Sequence, residues 1–175
     1  MKKFFKLLFD NVAIISTIIV ISYVLQNYVV FPYKVNGTSM CPTLKDGDTG
    51  IYIRFSEIER FDIAVINNNG EYIIKRIIGL PNETVEYVDN VLYINGVKYE
   101  EPFLVNAITD DFYYEVPDGE YFCLGDNREY SYDSRYIGSF KEEQIEANSN
   151  GSNQKNILDI FTHKKWYKRK ICDII

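Results

Sequence analysis

The amino-terminal part of the chain is dominated by an apolar stretch from Val12 to Phe31, after which hydrophobic and polar residues alternate in short runs. As a helix at about 1.5 Å per residue, that stretch would span about 30 Å, the depth of one hydrocarbon core. Ser16, Thr17, Ser22, Gln26 and Asn27 interrupt it. Serine and threonine can bond back to a helix, and Gln26 and Asn27 fall at one end beside Tyr28 and Tyr33, where an interfacial position suits them. The period-two runs predict strands around Tyr33 and over Gly50–Arg54, Ile63–Ile66, Tyr72–Ile78, Thr84–Val88, Val91–Ile94, Val97–Tyr99, Phe112–Val116 and Tyr121–Leu124. Asn95-Gly96 between two such runs is a hairpin signal, and Pro117-Asp118-Gly119 marks another tight turn. High Tyr, Phe and Ile content agrees with strands.

This pattern predicts a mainly β fold, an antiparallel β-sheet domain preceded by a single N-terminal transmembrane helix. The expected organisation is a short amino terminus over 1–11, an anchor over 12–31, one β-rich domain over 32–147, and a polar linker with a basic tail over 148–175. Lys2, Lys3 and Lys6 precede the apolar stretch, so the positive-inside rule places the amino terminus in the cytoplasm and the β domain on the far side of the cell membrane. A cleaved secretory signal is the competing reading. No A-x-A-like site follows the apolar run, and an uncleaved anchor is preferred.

Net charge is −6 and the pI is near 4.9, with the basic residues clustered only in the tail, which argues against a nucleic-acid partner. No cofactor or metal motif is present. Cys41, Cys123 and Cys172 have no C-x-x-C spacing, and three thiols cannot all pair within one chain. A Cys41–Cys123 bridge is thinkable, but buried free thiols are the preferred reading. The tail beyond Asn148, with Trp166 and the basic run from His163 to Lys170, is read as a solvated extension or as a short helix against anionic headgroups.

Candidate chemistry centres on Ser39 in GTSMCPTL and Lys75 in YIIKRII. A serine hydroxyl needs a neighbouring base, and His163, the one histidine, lies in the polar tail. Lysine serves as that base only if its pKa falls well below about 10.4, and burial among isoleucines is the lever. As a strand, Ile73, Lys75 and Ile77 share one face and Ile74, Arg76 and Ile78 the other. Taken alone, Lys75 and Arg76 read as surface residues of a half-buried strand, and Ser39 as a turn residue.

A third segment, Gly125-Asp126-Asn127-Arg128 through Ser131, Asp133 and Arg135 to Gly138, resembles the GDNRxxSxDSRxxG box of the bacterial type I signal peptidases. The order of the SMxPTL-like, KRxxGxP-like and GDNR-like segments is similar to that family's, and the likeness runs from about Val12 to Ile145. The resemblance implies a membrane-bound serine endopeptidase in which Ser39 is the nucleophile, Lys75 the general base, and Ser131 the hydroxyl that orients the lysine. It implies a loop ion pair between Asp133 and Arg135, which if solvated contributes little. The Ser39 backbone N–H is the natural first oxyanion donor. Gly37 stands where some members have a serine, so the second donor is Thr38, a water or another N–H. Asn82-Glu83 replaces a frequent Gly-Asp.

The implied partners are exported preproteins bearing signal peptides, together with membrane lipid. Two other expectations are weighed beside it. Self-cleaving repressors share a Ser-Lys order but not the anchor and the box. Non-catalytic or specialised assembly partners of pilin-like surface fibres share the fold, and the presence of both Ser39 and Lys75 favours an enzyme.

Overall fold

The computed structural model describes residues 2–54, 57–105 and 107–149. Helix α1 runs Lys2–Val24 and passes through a π-helical turn, Leu25–Val29, into strand β1, Val30–Lys34. Along α1, Ile14, Ile15, Ile18, Ile19 and Ile21 stand exposed, so no part of the β domain covers them. Among the described residues no helix is long and apolar enough to cross a membrane. The helix expected over 12–31 is corrected at both ends: it starts at Lys2, and Val30 and Phe31 belong to β1. Pairing decides the latter boundary, because Val30 through Lys34 form a complete antiparallel ladder with Ile53 through Thr49. Pro32, which has no N–H to donate, is tolerated there because β1 is an edge strand.

Six further strands complete a seven-stranded antiparallel sheet: β2 Thr49–Ile53, β3 Ile63–Asn68, β4 Glu71–Gly79, β9 Glu120–Leu124, β10 Phe140–Lys141 and β11 Ile145–Asn148. Their spatial order is β1-β2-β11-β3-β4-β9-β10. A second sheet of four strands, in the order β7-β6-β5-β8, comprises β5 Thr84–Val88, β6 Val91–Ile94, β7 Val97–Tyr99 and β8 Phe112–Glu115. The β6–β7 hairpin turns through Asn95 at φ +51° and Gly96 at φ +75°, the left-handed pair that a tight two-residue turn requires.

Three apolar clusters hold these layers together. Tyr33, Val35, Met40, Leu44, Tyr52, Ile63, Val65 and Ala147 pack beneath the segment that carries Ser39. Ile78, Phe122 and Leu124 of the large sheet meet Val85, Tyr87, Leu92 and Ile94 of the small one. On the remaining face Ala64, Ile66, Ile77, Cys123 and Phe140 pack together.

The expected strands all form, and β10 and β11 are additions. The latter corrects the expected linker: Asn148 is the last residue of a strand lying between β2 and β3, and Ser149 still exchanges two hydrogen bonds with the Ile63 backbone. The linker and tail expected beyond that point, with His163, Trp166 and Cys172, lie outside the described residues.

Candidate active site

Past β1 the chain turns sharply. Val35 bonds to the Asp48 and Gly47 backbones, and Gly37, at φ +90°, donates its N–H to Asp46 Oδ1 at 2.8 Å. Residues 38–44 then form a helical turn, with Cys41 N–H bonded to Thr38 O and Leu44 N–H to Met40 O. Met40 and Leu44 are buried in the core below, which leaves Ser39 half-buried on the upper side. Among the described residues, none accepts from the Ser39 backbone N–H. It is free to meet an oxyanion, whereas Gly37 offers no side chain there.

Lys75 comes to Ser39 from β4, where it pairs across the ladder with Ala64. Its Nζ lies 2.9 Å from Ser39 Oγ. Only 4% of the residue is exposed. Burial lowers the pKa of the amine from the ordinary lysine value; the carboxylate of Asp133 opposes the shift. Both requirements for a lysine base, reach and a destabilised ammonium, are therefore met at one atom.

Strand alternation sends Arg76 to the opposite face, as expected, but into the interior rather than to solvent. Arg76 Nε and Nη2 bond Asp126 Oδ1 and Oδ2 at 2.7 and 2.6 Å, with both side chains fully buried. Nη1 donates to Phe61 O at 2.7 Å, and Phe103 lies 3.9 Å below the guanidinium. Asp126 also accepts from Thr43 Oγ1 at 2.5 Å. The next residue, Asn127, donates its backbone N–H to Ser39 O at 3.0 Å and its amide to Thr38 O at 3.2 Å. Gly125 lies so close beneath that an added Cβ would stand 2.5 Å from the Ser39 carbonyl oxygen and would also strike the Ser131 side chain.

Ser131 is buried, and its Oγ has no hydrogen-bond partner among the described residues. The expected contact between it and the lysine amine is thus not made. Asp133 and Arg135 do form the expected pair, but not a solvated one. Asp133 is fully buried, holds Arg135 through both carboxylate oxygens at 2.8 and 2.9 Å, accepts from Gly125 N at 3.0 Å, and caps helix α2, Ser134–Ile137. Arg135 in turn donates to the Arg128 and Ser131 carbonyls. Arg128, also buried, reaches Glu101 at 2.6 Å and the Tyr87 hydroxyl of the small sheet.

Thr43, Arg76, Asp126 and Asn127 were not singled out by sequence for any role at the site. The available signal was an arginine on a run too apolar to be solvated, which implies a buried partner without naming it. Asn82 sits at φ +66°, a conformation glycine adopts freely, and Glu83 grips Arg60 through both oxygens, which explains the Asn-Glu pair after Pro81. Cys123 is the expected buried free thiol, but Cys41 is disulfide-bonded, a correction. No His, Cys, Asp or Glu group among the described residues could hold a metal ion. A groove of about 800 Å³, lined by Arg54, Glu120, Glu142, Glu143 and Glu146 among others, contains none of the residues around Ser39 and Lys75.

A family profile described as "Signal peptidase, peptidase S26" matches residues 8–151. Among relatives, Signal peptidase I V of Bacillus subtilis is 41% identical over 147 residues, covering 73% of this chain and 88% of that protein. Signal peptidase IB of Staphylococcus aureus is 36% identical over 165 residues, covering 80% and 86%. The crystal structure of a signal peptidase I from Enterococcus faecalis V583 superposes with a TM-score of 0.50 at 43% identity, covering 53% of this chain and 96% of that one.

Proposed function

The chain belongs to the signal peptidases of the peptidase S26 family and is a serine endopeptidase, and from that premise we propose that it cleaves signal peptides with Ser39 and Lys75 as a catalytic dyad. The observation that carries this is the 2.9 Å contact between Ser39 Oγ and a buried Lys75 Nζ whose pKa is lowered by desolvation. Neutral Lys75 takes the hydroxyl proton as Ser39 Oγ attacks the scissile carbonyl. The developing oxyanion meets the Ser39 backbone N–H, with Thr38 the adjacent hydroxyl for a second donor. Lys75 then protonates the departing amine and, in the second half, removes a proton from the water that releases the acyl group from Ser39. Ser131, whose buried hydroxyl has no partner among the described residues and does not reach the amine, is given no role in this step.

The clients are exported preproteins with signal peptides, and the apolar part of α1 together with the π-helical turn after it is the membrane anchor, its amino terminus cytoplasmic. Its exposed isoleucines and the early lysines support that reading. β1 follows within a few residues and leads directly to Ser39, so the dyad works close to the bilayer, where a client tethered by its own apolar segment is concentrated.

Cleavage of a preprotein carrying an A-x-A site, followed for wild type, Ser39→Ala and Lys75→Ala, tests the dyad. The expected outcome is folded variants with rates lowered at least about 10²- to 10⁴-fold. Retained cleavage by either variant overturns the assignment.

A further inference from the structure

Ser39 and Lys75 belong to different segments, and their 2.9 Å separation depends on what fixes those segments to each other. Two attachments are already accounted for. Met40 and Leu44 sink the nucleophile turn into the core, and Asn127 clamps the Thr38 and Ser39 carbonyls. Apolar burial is non-directional and sets depth rather than lateral position. The clamp fixes Ser39 to the loop after β9, not to β4.

A third attachment reaches β4 itself. Thr43, four residues after the nucleophile, donates to Asp126 Oδ2, and the same carboxylate holds Arg76 through both of its oxygens. Arg76 is the covalent neighbour of Lys75 and points to the other face of the strand. Its guanidinium is immobilised from two more sides, by Phe61 O and by the Phe103 ring. A carboxylate bound bidentately by a planar, fully buried guanidinium has one orientation, and a hydroxyl bonded to it inherits that direction. The route from nucleophile to base thus runs Ser39, Thr43, Asp126, Arg76, Lys75, with every non-covalent link at least partly buried and short.

We propose that Thr43 is a positioning residue for peptide cleavage: its hydroxyl, through Asp126 and Arg76, holds the nucleophile turn in register with the lysine base. This rests on the Ser39–Lys75 reading above. Thr43 touches no reacting atom. Its loss lets the turn shift laterally over a core that still fills, and a misplacement of about 1 Å at the reacting atoms costs on the order of 100-fold in rate. Asn36 and Gly37, exposed before the turn, are anchored separately, Gly37 by its N–H to Asp46 Oδ1, so client contacts made along them are expected to change little.

The test measures kcat, KM and thermal unfolding for full-length Thr43→Val, Thr43→Ala and Thr43→Ser on a preprotein, beside Ser39→Ala and Lys75→Ala. Valine keeps the volume and loses the hydroxyl, while alanine and serine differ only in the hydroxyl. The inference expects kcat about 10- to 100-fold lower for Val than for wild type and for Ala than for Ser, with KM within about twofold. Val and Ala within about twofold of wild type in kcat would overturn it, as would a serine variant no better than alanine. So would unfolding of Val and Ala while Ser stays folded, which assigns the hydroxyl to stability alone. If Ser39→Ala or Lys75→Ala remains active, the dyad fails first and independently of Thr43.

Discussion

The four-stranded sheet buries Val85, Tyr87, Leu92 and Ile94, whereas β4, β9 and the loop after β9 in the other half of the molecule bury Lys75, Arg76, Asp126, Arg128 and Asp133. Apolar burial stabilises the first by about 1.5–3 kcal/mol for each large side chain. Ions taken from water cost several kcal/mol each, and their attraction offsets this only when the geometry is right. The small sheet is therefore built for cohesion. The large one gives up some cohesion to fix charges in place, and one of those charges, Lys75, meets Ser39.

The sharpest way to break the contrast is to remove one buried charge. Asp126→Ala strands Arg76 and should destabilise the fold by about 3–5 kcal/mol, read as a lowered denaturant midpoint, while cleavage by the folded fraction collapses. An Asp126→Ala enzyme of normal stability would mean the pair is solvated after all. Leu92→Ala removes a fully buried side chain from the small sheet and should cost about 2–5 kcal/mol with kcat of the folded enzyme unchanged. A matching fall in kcat would show that the sheets are not separable in this way.

The smallest effect concerns Lys75 itself. Its folded-state pKa lies below the ordinary lysine value, so between those two values the unfolded chain binds more protons than the folded one. Stability at this site rises with pH across that window, and the penalty is complete below it. Lys75→Met should therefore melt higher than wild type near neutral pH, with the advantage shrinking as pH approaches about 10. An advantage that does not change with pH would assign the gain to packing instead.

Much of the small sheet was legible because its strands are short, alternating and separated by left-handed turns: β5, β6 and β7 form over the residues expected. β11 was not legible. Its sequence, Ile-Glu-Ala-Asn, carries too little hydrophobic contrast to announce a strand, and its place between β2 and β3 is decided by pairings far away in the chain. The site divides in the same manner. The opposed directions of Lys75 and Arg76 follow from the strand itself, and Ser39 and Lys75 were singled out through the resemblance, but the partner of Arg76 lies 50 residues away and only the fold brings it near. Asp133 was expected to pair with Arg135, and it does; that the pair is dry could be known only once Gly125 and α2 were seen to close over it.

The changeover at Val29 and Val30 has a practical side. Every ladder partner that β2 finds in β1 lies from Val30 onward, and the last acceptor, for the Arg54 N–H, is the Val29 carbonyl. A chain begun at Tyr28 keeps all of these bonds and sheds the exposed isoleucines of α1. Such a shortened enzyme, prepared in plain buffer and given short peptides, would report bond cleavage without any contribution from lipid; the full chain given an embedded preprotein would report both. The ratio of the two is a direct measure of what tethering adds.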